Sequence, residues 1–156
     1  MRIAVGADHR GYRAKTQIKA VLDELNMEAV DFGTDSTKSM DYPDPAGAAA
    51  TAVRDKECDL GILFCGTGIG MSITANKVHG IRAAVCHDEL TAEMARRHNN
   101  ANILCLPADL VGDALMRRIV QVYLRTSYEG GRHQRRIEKI TAIENAQCSY
   151  RSPKEE

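Results

Sequence analysis

The stretch Cys65-Gly66-Thr67-Gly68-Ile69-Gly70 ends an apolar run on a thiol and follows it with alternating glycines. A buried structural thiol is the default for cysteine, and Cys58, Cys86 and Cys105 read that way. Cys65 differs in position. A strand ends on it and small residues suited to a helix follow, so free N–H groups and the positive end of a helix dipole favour an anion beside it. A thiolate there is a nucleophile, a redox centre or a base. The phosphatase pattern C-x-x-x-x-x-R fails at Met71, and disulfide exchange lacks a C-x-x-C partner. Proton abstraction is left, with Thr67 and the amides of Gly66 to Gly70 stabilising the oxygen anion that results. Nucleotide binding finds little support, because Met71 replaces the third glycine of G-x-G-x-x-G and no Lys-Ser/Thr ends the loop. The loop reads as an anion site, against the plainer alternative of a tight turn with no ligand.

Other polar residues fit around such a base. Asp8 and His9 form an acid–imidazole pair at a strand end, although Asp8 would equally serve as a helix N-cap. His98 and Asn99 fall at a helix end, where a histidine also complements the dipole. In "GGRHQRR" (130–136), Arg132 and Arg136 stand four residues apart beside His133. On one helical face that spacing is a solvated charge run or a phosphate clamp.

The elements that position these groups alternate along the chain. Strands are expected at 2–7, 28–33, 58–65, 80–86 and 100–106. Helices are expected at 13–26, 41–55, 88–98 and 108–126, with Ile18, Val21, Leu22 and Leu25 on one face of the first. This is an α/β pattern, a single Rossmann-like domain with a five-stranded parallel sheet and helices on both faces. A C-terminal helix at 130–146 has no strand after it, so it packs on the domain or reaches a second subunit. The domain is expected over 1–146 and a loose polar tail over 147–156. Ligands of such sheets bind at the carboxyl ends of the strands, which selects Asp8, His9, Cys65 to Gly70, His87 and Asp88.

Composition sets the outer limits. The 156 residues are 44% hydrophobic and 27% charged, an ordinary globular balance for one domain. Twenty-one basic residues offset twenty-one acidic ones, which gives no reason to expect nucleic acid or a membrane as partner. "MRIAVGADHRG" has too short an apolar run for a signal peptide. The odd set of five cysteines without pairing pattern suggests reduced thiols and a cytoplasmic protein. No H-x-x-x-H spacing occurs, so no metal is expected.

Together "GADHRG", "DYPD", "CGTGIGMSITANKVHGIRAAVC", "RRHNNANIL" and "YEGGRHQRR" resemble the ribose-5-phosphate isomerase B family, with its related galactose-6-phosphate isomerase subunits. The resemblance runs from about Arg2 to about Glu144. It implies a cofactor-free aldose–ketose isomerase acting on a small sugar phosphate. It also implies homodimers, or dimers of dimers, whose sites draw on both subunits. By this resemblance Cys65 shuttles a proton between C1 and C2 through an enediolate, whose oxygen Thr67 and the amides of Gly66, Gly68, Ile69 and Gly70 hold. His98, assisted by Asp8, opens the furanose ring. His9, Arg132 and Arg136 bind phosphate, Asn99 a sugar hydroxyl, and Tyr42 is the aromatic near the sugar. Ribose 5-phosphate and ribulose 5-phosphate are the implied pair. The alternatives are another four- to six-carbon sugar phosphate of the allose, galactose or erythrose type, or a non-catalytic flavodoxin-like anion-binding module. One departure stands out: Asp109 occupies a position where the family often has a phosphate-holding arginine. Asp before an apolar helical run signals a helix start, so Asp109 is expected to cap the helix "DLVGDALMRRIV".

Overall fold

In the computed structural model, which describes residues 1–148, the apolar runs form β1 (Arg2–Ala7), β2 (Glu28–Asp31), β3 (Leu60–Cys65), β4 (Ala83–Val85) and β5 (Ile103–Pro107). All pair in parallel, in the order β2-β1-β3-β5-β4. Every residue of the central β3 is buried, which explains its unbroken apolar sequence LGILFC. Between the strands run α1 (Tyr12–Glu24), α2 (Pro43–Arg54), α3 (Ile69–Ala75), α4 (Glu89–Arg97), α5 (Asp113–Arg125) and, last, α6 (Arg132–Cys148).

Strand residues alternate between two cores with period two. Ile3, Val5, Ile62, Phe64, Leu104 and Leu106 pack under α1, α4 and α5. Ala4, Leu63, Cys65, Ile103 and Cys105 face α2 and α3 on the other side. The second core relies on small residues: Ala46, Ala49 and Ala50 are fully buried and let α2 approach the sheet closely. The expected α/β, Rossmann-like domain with helices on both faces is the fold observed.

The strands keep their expected places but, β1 apart, with shifted bounds: 80–86 shortens to Ala83–Val85 and 100–106 moves to Ile103–Pro107. The helices depart further from the sequence reading. The helix expected from 108 starts at Asp113, behind Gly112, because the amides of Leu110 and Val111 both return to the Pro107 carbonyl and close a turn. Asp109 therefore lies in the β5–α5 loop and caps no helix. α3 is seven residues long, a two-turn helix. α6 runs on through Gln147 and Cys148, into the stretch read as tail; positions 149–156 lie outside the described residues. Along α6, Ile137 is buried but Ile140 and Ile143 are exposed, at 47% and 64%.

One buried ion pair ties α1 to the sheet. Lys15 is 3% exposed, and its Nζ donates to Asp31 Oδ1 at 2.7 Å and to the Thr34 carbonyl at 2.6 Å. Partial burial pushes the Asp31 carboxyl up, but bonds from Lys15, the Gly33 amide and Lys19 outweigh it and hold that carboxyl below its ordinary value. Its contribution to stability is therefore complete above the ordinary carboxylate range and is lost as pH falls through the lowered value. Lys15→Ala should cost about 2–3 kcal/mol near neutral pH. Denaturant titration should show that the gap between wild type and variant narrows once Asp31 is protonated.

Candidate active site

β1 leads into α1 on one face of the sheet, and its neighbour β3 leads into α3 on the other. That reversal opens a crevice outside the carboxyl ends of the two strands, where ligands of doubly wound sheets bind. The residues following β1 and β3 line it, as the sequence reading expects.

Cys65 stands at the crevice floor, 5% exposed, and its Sγ accepts the Gly68 amide at 3.1 Å. The bond requires the chain to double back within three residues, and Gly68 does so at φ 74°, a left-handed conformation that side chains disfavour. The Ile69 amide turns to Thr67 Oγ1 at 3.3 Å. Two of the five loop amides thus serve the loop's own sulfur and hydroxyl. Cys58, Cys86 and Cys105 are held as neutral thiols. Burial pushes the Cys58 thiol up, that of Cys86 to about 11, and that of the fully buried Cys105 well above the ordinary range.

Around the thiol, Asp8 is 5% exposed, and its Oδ1 accepts the amides of Arg10 and Gly11 at 2.9 and 3.0 Å. It shapes the β1–α1 turn; the N-cap of α1 is Gly11. His9 Nδ1 lies 3.3 Å from both the amide nitrogen and the carbonyl oxygen of Met40, which joins this turn to the segment bearing Tyr42. The Tyr42 ring covers Gly70 so closely that a Cβ there would stand 2.7 Å from its Cε2 and Cζ.

The other expected site residues lie elsewhere. His98 closes the C-terminal end of α4, and Asn99 follows it. Arg82, just before β4, donates to the carbonyls of Asn99 and Asn100, while the amide of Gly61, near the start of β3, donates to the Asn102 carbonyl. His98 and Asn99 are therefore at the amino end of the sheet. Cys65 pairs with Pro107 at the opposite end, four strand steps beyond Ile103, or about 13 Å. The start of α6 joins the amino-end group: the His133 ring stacks on that of His98, with centroids 4.1 Å apart and planes 6° from parallel. Arg132 and Arg136 are exposed on the first turns of α6. Within one chain Asp8 and His98 do not meet, and the candidate residues form two separate groups.

Sequence spacing did not foresee that His98, His133 and Glu129 would converge, with ligand atoms all within 4.8 Å. The parallel rings aim their in-plane lone pairs side by side instead of at one point, and Glu129 already accepts Arg97 Nε at 2.8 Å. These features describe a stacked imidazole pair better than a metal-ligand set. Burial, then the charges of His98 and Arg132, push His133 down and keep it neutral to lower pH. Among the described residues no helix is long and apolar enough to cross a membrane.

The chain belongs to the ribose/galactose isomerase family, whose sequence model, described as Ribose/Galactose Isomerase, matches residues 3–140. Among its relatives, ribose-5-phosphate isomerase B of Escherichia coli (strain K12) is 49% identical over 143 residues, which is 92% of this chain and 96% of that protein. D-erythrulose-4-phosphate isomerase of Pectobacterium atrosepticum is 41% identical over 146 residues, 93% and 96% of the two chains. The solved structure of Clostridium thermocellum ribose-5-phosphate isomerase B matches with a TM-score of 0.93 at 48% identity, covering 94% of this chain and 99% of that one. The protein is a sugar-phosphate isomerase.

The contact between Tyr42 and Gly70 generates a test. Gly70→Ala improves the intrinsic helix preference of α3 but displaces the Tyr42 ring. The melting temperature should stay within a few degrees of wild type, while kcat/KM should fall about 10²-fold, the loss expected where the Tyr42 ring lines the place of the reacting sugar.

Proposed function

We propose that the protein interconverts ribose 5-phosphate and ribulose 5-phosphate through an enediolate, with Cys65 as the base. The observation that carries this reading is the Gly68 amide bonded to Cys65 Sγ at the crevice floor, which presents the sulfur as an acceptor. Cys65 removes the proton from C2 of the aldose, the electron pair moves into the C1–C2 bond, and the carbonyl oxygen becomes an enediolate oxygen. A proton then passes from O2 to O1, the O2 electron pair forms the new C2 carbonyl, and return of the abstracted proton to C1 gives the ketose. The sum is an internal transfer that needs no outside oxidant or reductant. Thr67 and the amides of Gly66 and Gly70 stabilise the charged oxygen, and Tyr42 closes one side of the sugar.

Ring opening and phosphate binding fall to the second group: His98 assists opening, Asn99 holds a hydroxyl, and Arg132 and Arg136 take the phosphate alongside His9. Because these residues sit at the far end of the same chain's sheet, the reading requires a homodimer in which each site combines one chain's Cys65 group with its partner's His98 group. The exposed Ile140 and Ile143 support this. They line a groove of about 640 Å³ with Ile81, Arg82 and Asn99, next to the second group.

Two measurements test the proposal. In heavy water the wild type should wash deuterium into C1 or C2 of the sugar, and Cys65→Ala should lose at least ~10²–10⁴-fold in rate with its fold intact. A rate near wild type would remove Cys65 from the mechanism. Assembly is checked by mixing inactive Cys65→Ala with inactive Arg136→Ala chains. Activity should return once subunits exchange, since one of the two heterodimer sites is then complete. Proven exchange without activity would refute the shared site.

A further inference from the structure

Three segments meet over Gly66. The β5–α5 loop is fixed along the end of β3, with the Ala108 amide donating to the Cys65 carbonyl at 2.8 Å and the Asp109 amide to the Gly66 carbonyl at 3.1 Å. From the other side the β1–α1 turn brings Arg10, whose amide is held by Asp8. Across the glycine loop, Arg10 Nε and Nη2 both donate to Asp109 Oδ2, at 2.6 and 2.5 Å. A Cβ on Gly66 would stand 2.6 Å from that carboxylate oxygen and 2.8 Å from Arg10 Nε, so the pair lies directly on the loop that carries the base.

A guanidinium has two donor edges. Asp109 occupies the Nε–Nη2 edge of Arg10. The Nη1–Nη2 edge has no partner among the described residues, and the side chain is 58% exposed. Such a planar pair of N–H groups matches two oxygens of a phosphate, and fixing the guanidinium from its other edge removes the rotamer cost of using it. His9, the adjacent residue, adds a second donor on the same turn. We propose that Arg10 binds the substrate's phosphate at the mouth of the crevice, and that Asp109 is its positioning residue. Asp109 is then no repelling charge in the site: it orients a cation supplied from the other loop. The inference rests on the sugar-phosphate turnover proposed above.

The test uses the full-length protein, with ribose 5-phosphate as substrate and inorganic phosphate as competitive inhibitor. Arg10→Ala should raise KM about ten- to a hundredfold, the loss expected of a charge-assisted phosphate contact, and raise the phosphate inhibition constant in proportion, with kcat and melting temperature near wild type. Asp109→Asn, which leaves Arg10 present but unbraced, should shift both constants in the same direction by less. Unchanged KM and unchanged phosphate inhibition in Arg10→Ala overturn the inference, and so does a variant whose only change is a lower melting temperature. Failure of the wild type to isomerise any sugar phosphate would instead defeat the proposed function, and this inference with it.

Discussion

The structure depends on the course of one buried strand and the loop that leaves it. β3 lies between β1 and β5 with every residue buried, so its backbone is satisfied along its length until Cys65. There the sheet ends, and the chain turns where a Cβ on Gly66 or Gly70 would meet neighbouring atoms at less than 3 Å. Gly68 at positive φ makes that turn and sends its amide back to the sulfur. The same geometry leaves Cys65 only 5% exposed. A longer side chain at 68 would lose the conformation, and with it the single amide that faces the acceptor. In the proposed reading, the role of Cys65 follows from how a parallel sheet ends.

The sheet's two ends carry different chemistry. Its carboxyl end gathers groups suited to moving a proton at carbon: a thiol, a hydroxyl, backbone amides and a buried carboxylate whose Oδ1 accepts two amides. The amino end gathers imidazoles and arginines at the close of α4 and the start of α6, where His98 and His133 stack and Glu129 is drawn off by Arg97. Helices that return antiparallel to their strands must deliver their last residues to the amino end, so His98 could not stand beside Cys65 in one chain. A site that uses both kinds of group, as the proposed reading has it, must therefore draw them from two copies of the chain.

Much of this was legible in the sequence. Short apolar runs gave the strands and period-3.6 patterns most helices, and the apolar run ending on Cys65 is the central, fully buried strand. The thiol-glycine loop was also readable, because few arrangements other than a turn at a strand end use glycine at 66, 68 and 70. The misreadings share a cause. Asp109 looked like a cap because Asp before an apolar run usually is one, but its role was decided by Arg10, 99 residues away. The stacking of His98 on His133 likewise joins positions 35 apart, and no local spacing encodes it. Arg10 itself gave only a faint signal, a lone cation just after Asp8 and His9 at a strand end. Contacts between loops depend on how the sheet orders its strands, and here β5 lies inside β4.

That ordering has a consequence for how the chain carries charge. Because β5 pairs directly with β3, the β5–α5 loop, and not the β4–α4 loop, borders the glycine turn. A residue at 109 therefore sits where it meets whatever the β1–α1 turn extends across Gly66. Opposite charges on the two loops satisfy each other while leaving one guanidinium edge outward; like charges would push both side chains away from the turn. With Asp at 109, the cation between these two loops is Arg10, which reaches it across Gly66. The chain's balance of 21 basic and 21 acidic residues conceals this local organisation. What matters for an anionic substrate is which donor edges remain unpaired at the crevice, and pairing decides that more than net charge does.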